Sequence, residues 1–195
     1  MKINSKSKTL LALALAIALA ATGCSAQWIN TALQDLPVLT QMALNIATLV
    51  TTLAAGQQAS AADTAVIQNI SAQASRDLNL LQTLYNEYKA TPSPTTLQKL
   101  QSAISDLNQN LPTMLQSAHI SNATLSARIA AAVNLILTTV NSFAALMPQA
   151  SPATSRKASS PLLHAKDLKK QWNQQVCAPT GNPALDAAFA ASALR

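Results

Sequence analysis

Four stretches of helical periodicity dominate the chain. Ile29, Leu33, Leu36, Leu39, Met42, Ile46, Leu49 and Leu53 recur three or four residues apart, the spacing of one helix face. They predict a helix over 27–55, with Gly56 as its C-terminal stop. Pro37 should kink that helix or split off its first two turns. A second stripe, Ile67, Ile70, Ala74, Leu78, Leu81, Tyr85 and Tyr88, predicts a helix over 61–89. Ser60 followed by Asp63 resembles a capping box at its start. The two tyrosine hydroxyls are expected at the edge of the core.

Ser93-Pro94 reads as N-cap and first helical residue of a third helix, running to about Ala118. Leu97, Leu100, Ile104, Leu107, Leu111 and Met114 alternate three and four apart, a strict heptad seam. Pro112 should loosen its last turns. Ser121 or Asn122 caps a fourth helix to about Met147, whose seam is Leu125, Ile129, Ala132, Ile136, Val140, Phe143 and Met147. No charge lies between Arg128 and Arg156, which raises membrane insertion as a reading of this helix. Against it, Asn134, Thr138 and Asn141 share the opposite face as a polar stripe, the mark of an amphipathic helix in a bundle.

Short turns between long amphipathic helices predict an all-α fold: an antiparallel up-down-up-down four-helix bundle over 24–147. An even number of helices returns the chain to the end where it began. Residues 148–161 hold three prolines, four serines and Arg156-Lys157, and read as a flexible linker. Residues 162–195 read as a basic segment of short helices, one over 162–176 and one over 184–194. Lys166, Lys169 and Lys170 take one side of the first, Leu168 and Trp172 the other. These five are the candidate membrane or partner contacts, lysines toward anionic headgroups and apolar residues toward the interface. Alternatively Leu168, Trp172 and Phe189 dock on the bundle and the lysines face water.

The first 23 residues do not fit the bundle. Lys2, Lys6 and Lys8 precede an unbroken block of Leu, Ala and Ile from Leu10 to Ala21. That block suits a signal h-region and is short of the roughly 20 apolar residues that span a bilayer. Thr22-Gly23-Cys24 follows it. The segment resembles a bacterial lipoprotein precursor, with Ala21 where the pattern usually has Leu. The resemblance implies cleavage before Cys24, acylation of Cys24, and a lipid-anchored place in the bacterial cell envelope. In a Gram-negative host, Ser25 resembles outer-membrane sorting, on the periplasmic face. An ordinary secretory signal cut near Ala26 is the other reading of the same residues.

Charge changes the picture little. The chain carries 13 Lys+Arg and 7 Asp+Glu, a net +6, but three lysines lie in the signal. Between Ser25 and Ala150 the balance is near neutral, and the excess sits after Ser151. That distribution gives no ground for nucleic acid as a partner. The chemistry is sparse too. His119 and His164 are far apart, Asp77 flanks a core stripe as a boundary acid, and no GxSxG, HExxH, P-loop or CxxC pattern occurs. Cys177 is unpaired if Cys24 is acylated and open to bridging if it is not. The expected function is a non-enzymatic envelope lipoprotein without cofactor, held in the bilayer through Cys24. It would present a helical scaffold to an envelope protein or the cell wall, and could self-associate through its seams. The alternatives are a pore-forming helical protein and a carrier of a small apolar ligand between kinked helices.

Overall fold

The computed structural model describes the backbone of residues 5–147 and 163–195, and side chains from Trp28 onward within those ranges. The proline- and serine-rich linker expected over 148–161 lies outside the described residues. Among these residues the chain forms six helices: α1 (Ser5–Ala55), α2 (Ala61–Ala90), α3 (Pro94–Ser117), α4 (Ala123–Leu146), α5 (Ala165–Gln175) and α6 (Pro183–Ala191). The first four close a ring in which α1 touches α2, α2 touches α3, α3 touches α4 and α4 returns to α1. This is the expected up-down-up-down bundle.

Side-chain contacts fix its ends. At one end Trp28 of α1 lies 5.6 Å from Tyr85 and 5.9 Å from Tyr88 of α2, and Tyr85 lies 6.5 Å from Phe143 of α4. At the other, the Asp63 carboxylate at the start of α2 accepts bonds from the Ser121 N–H and hydroxyl, just before α4. The Ser121 hydroxyl holds the Asp63 carboxyl below the usual carboxylate range, against the opposing effect of burial. Between the ends, the buried Ser71 hydroxyl donates to the Ala43 carbonyl at 2.6 Å, and the Asn108 and Asn141 amides exchange bonds of 2.8 and 3.0 Å. Each polar contact pins one helix pair in one register.

The seams expected for α3 and α4 face inward. Leu100, Leu107, Leu111, Leu125, Ile129, Ile136, Val140 and Phe143 are fully buried. Asn134, Thr138 and Asn141 are exposed, so α4 is an amphipathic core helix. By length and composition, Trp28–Ala55 and Ala123–Leu146 are apolar enough to cross a membrane. Here their apolar faces are turned to the bundle interior.

Two local expectations are corrected. α1 is one helix of 51 residues that begins within the signal-like segment, and Pro37 does not divide it. Pro37 is exposed, on the side where water can replace the missing backbone donor. Tyr85 does not reach the edge of the core: it is fully buried and its hydroxyl has no protein partner. α1 stops at Ala55, just before Gly56, as expected, but the left-handed residue of the cap is Gln57, at φ 58°. The Gln58 N–H bonds the Leu53 carbonyl at 2.7 Å and the Gln57 N–H bonds Ala54 at 3.0 Å, which together make a Schellman motif.

A β-carbon is disfavoured at the left-handed position, by roughly 1 kcal/mol relative to glycine. Gln57→Gly is therefore expected to stabilise the protein by about 1 kcal/mol, raising the melting temperature by roughly 2–4 °C. Thermal unfolding followed by circular dichroism checks this; an unchanged or lowered midpoint would contradict the assignment of the cap.

Candidate functional site

The C-terminal segment is the most elaborate construction on the bundle. α5 contacts α1 and α4, and α6 contacts α1. Leu168, Trp172 and Phe189 are fully buried. The expectation that Leu168 and Trp172 meet a membrane or a partner is thus corrected. Their apolar surface is already covered by the bundle, where burial of such side chains is favourable by about 1.5–3 kcal/mol each. The lysines separate from them. Lys166 and Lys170 are exposed, while Lys169 Nζ donates to the main-chain oxygen of Arg195 at 2.6 Å.

Polar contacts fasten the segment along its length. Trp172 Nε1 donates to the Ser192 carbonyl at 2.9 Å, and Asn45 Nδ2 of α1 donates to the same oxygen at 3.0 Å. Asn173 bonds both the N–H and the carbonyl of Leu194. Asp186 gathers the turn before α6, accepting from Thr180 N at 2.6 Å, Thr180 Oγ1 at 2.7 Å and Gly181 N at 3.1 Å. Those donors hold its carboxyl below the usual range. Gly181 takes φ 83°, a conformation that suits glycine at this turn.

Arg128 is the residue that sequence reading overlooked. It is the single charged side chain of α4. Its guanidinium donates to the carbonyls of Gln175 at 2.6 Å and Ala178 at 3.0 Å, past the end of α5, and lies 5.7 Å from the Phe189 ring centre. A cation at a helix C-terminus meets the negative end of the dipole. A lone base on an otherwise uncharged helix was the available signal, but nothing in the pattern named its acceptors.

Asp35 does the corresponding work at the other end of α5. It is buried on α1 and takes a hydrogen bond from the Ala165 N–H at the first turn of α5, close to His164. His164 occupies the N-cap position without making a side-chain cap bond. Asp35 Oδ2 is buried without a partner. Burial pushes the Asp35 carboxyl above the usual range, against the Ala165 N–H and His164.

The remaining reactive groups do not converge. His119 is exposed in the turn between α3 and α4, away from the α5 start that carries His164. Asp77 is half-buried; Oδ1 accepts from Gln73 and Oδ2 has no partner. No group of three His, Cys, Asp or Glu side chains suited to a metal occurs among the described residues. Cys177 is a free, half-buried thiol, and burial pushes it up to about 11, with Trp172 and Arg128 opposing. It stays protonated at neutral pH and is a poor nucleophile.

Cys177 also lies far from Cys24. On α1, Cys24 precedes Asn45 by about 31 Å of helix. Cys177 is bonded through its N–H to Trp172, whose indole meets Asn45 at the Ser192 carbonyl. A disulfide needs α-carbons within about 7 Å, so this fold does not join the two cysteines.

A shallow groove of about 420 Å³ opens between α2 and α3, lined by residues that include Leu80, Leu84, Lys99 and Asp106. Neither Pro37 nor Pro112 borders it, so the proline kinks expected to open a ligand cavity do not form this one. No protein-family description, curated protein or solved structure matches the chain.

Two measurements test the docked segment. Arg128→Ala removes two charge-assisted bonds worth about 1.5–3 kcal/mol. Amide exchange in α5 and α6 should then speed up roughly ten- to a hundredfold, with α2 and α3 unchanged; a uniform rise would mean that the segment is not a separate unit. Asp35 has the opposite sign of pH dependence to Asp63. Its raised folded pKa means that its contribution is fully present below the unfolded value of about 4 and is lost as pH rises through the folded one. Asp35→Asn should therefore be more stable than the wild type at pH 7, in denaturant titration, with the gap closing toward pH 4. A gap of the same size at both pH values would refute the assignment.

Proposed function

We propose that the protein is a lipid-anchored envelope lipoprotein that holds a non-enzymatic helical scaffold at the membrane surface. The observation that carries this reading is the run from Lys2 to Cys24, followed after only Ser25, Ala26 and Gln27 by Trp28, the first described core side chain. Cleavage before Cys24 leaves every described core side chain in the mature chain. Three residues extend at most about 10 Å, so an acylated Cys24 holds the Trp28 end of the bundle against the headgroups. Several acyl chains anchor stably where one gives marginal binding.

The packing of the helices supports a scaffold over a pore-forming protein. The apolar face of α4 is buried against α1 and α3, and insertion would require the bundle to open. The docked C-terminal segment supports the same reading. α5 starts beside Asp35 and continues toward Asn45, away from the anchored end. Lys166, next to Ala165, then stands level with Asp35, about 10 Å of helix beyond Trp28.

Mass spectrometry of the mature protein should find acyl chains on Cys24 and residues 1–23 removed. Globomycin should cause the acylated precursor to accumulate, and Cys24→Ser should abolish acylation and leave residues 1–23 in place. An unmodified Cys24 in the mature chain, or a new terminus near Ala26, would overturn the anchor.

A further inference from the structure

The bundle leaves a partly apolar groove uncovered between α2 and α3. We propose that it docks a second copy of this chain, with the two α3 helices antiparallel across a twofold axis that passes between Ser102 and Ala103.

The charges of α3 carry the argument. Lys99 and Asp106 are its only charged residues, two turns apart, and both line the groove. A twofold axis midway between them sets Lys99 of one copy against Asp106 of the other, twice, because such an interface is self-complementary. A parallel pair would set lysine against lysine and aspartate against aspartate. Asp106 has no hydrogen bond or ion pair within the described chain, whereas Lys99 has only a 3.8 Å contact to the half-exposed Glu87. The pairing supplies the partner that Asp106 lacks.

The apolar residues share that centre. Thr96 Oγ1 donates to Glu87 at 2.8 Å, which fixes the antiparallel register of α2 against α3. Counting away from that contact places Leu80 level with Ala103. Leu80 is 50% exposed, unusual for a large apolar side chain in this protein. It therefore stands beside the proposed axis, where the partner's groove would cover it. Ser102, small and exposed, lets the two α3 helices approach closely, while Ala103 forms the buried floor beside it. The heptad seams expected to mediate self-association are not available for it, since they are buried within each bundle.

The groove is small, and interfaces under about 1,200 Å² belong to transient encounters. An antiparallel pair also places the two Cys24 ends on opposite sides. If the anchoring proposed above holds, pairing joins copies in two apposed membranes rather than neighbours in one. Pairing itself does not rest on that reading.

Cysteine cross-linking of the full chain in detergent tests the pairing whether or not Cys24 is acylated. Ser102→Cys lies next to the axis, within disulfide reach of its own counterpart. Under mild oxidation it should give a product of twice the chain mass at a yield at least about tenfold above wild type, which already contains Cys24 and Cys177. Asn134→Cys, on the exposed face of α4, should stay at the wild-type level. Adding Lys99→Asp to Ser102→Cys should lower the yield severalfold, and adding Asp106→Lys as well should restore it, because the swapped pair is again self-complementary. Circular dichroism confirms that each variant remains helical. Cross-linking of Ser102→Cys no greater than that of Asn134→Cys, a yield indifferent to Lys99→Asp, or a product of any other mass overturns the proposal.

Discussion

The fold hangs on the burial of α1 from Trp28 to Leu53. Its buried residues form one broad face rather than a narrow seam: Leu36, Leu39, Met42, Ala43, Ile46, Leu49 and Val50 all fall below one per cent exposure. A helix apolar on so much of its circumference needs cover on more than one side. α2 and α4 provide two neighbours, and α5 and α6 close over more of it. The C-terminal helices are therefore part of the core, and the six-helix arrangement follows from how much of α1 must leave water.

That constraint explains the polar contacts on α1. Asn45 and Asp35 sit where α5 and α6 cross over, and each bonds a backbone group there: Asn45 joins Trp172 on the Ser192 carbonyl, and Asp35 takes the Ala165 N–H. The bond from Asn45 is neutral and complete. Asp35 is a carboxylate with one oxygen left unpartnered, so the α5 start carries an electrostatic cost that the α5 end does not. Arg128 at that end is half-exposed and fully engaged with carbonyls. The stronger clamp and the weaker one hold opposite ends of the same eleven-residue helix.

The long helices were legible because their periodicity is long and their caps are local. Ser60, Ser93 and Asn122 each accept the backbone bond that their sequence position suggests. What periodicity could not convey was the partner of a face. Leu168 and Trp172 define an apolar side of α5 whether it meets lipid or α1, and only the tertiary contacts of Arg128, Asn45 and Asp35 decide. Gly56 marked the stop of α1 but not the left-handed residue. Glycine marks where a helix can stop, but the backbone bonds place the left-handed turn one residue later, and Gln57 bears it. Nothing local announces such a shift, because it depends on how the chain must turn to begin α2. At the groove, nothing in the sequence pattern singled out Lys99 and Asp106 or the cleft that they line.

The same helix joins two parts of the chain with different physical tasks. Before Cys24, α1 has the composition of an export signal; after Gln27 it has the composition of a core helix, and no turn separates them. A continuous helix across that boundary has no need of cooperation between its halves. On the C-terminal side the bundle is held by contacts such as Trp28 against Tyr85 and Asp35 against Ala165. Cutting the helix before Cys24 exposes new backbone groups at its first turn, but those groups lie before Trp28, where helix ends fray and water satisfies them. A chain beginning at Cys24 would keep the contacts named above, and the short run from Cys24 to Gln27 would link that core to whatever holds Cys24.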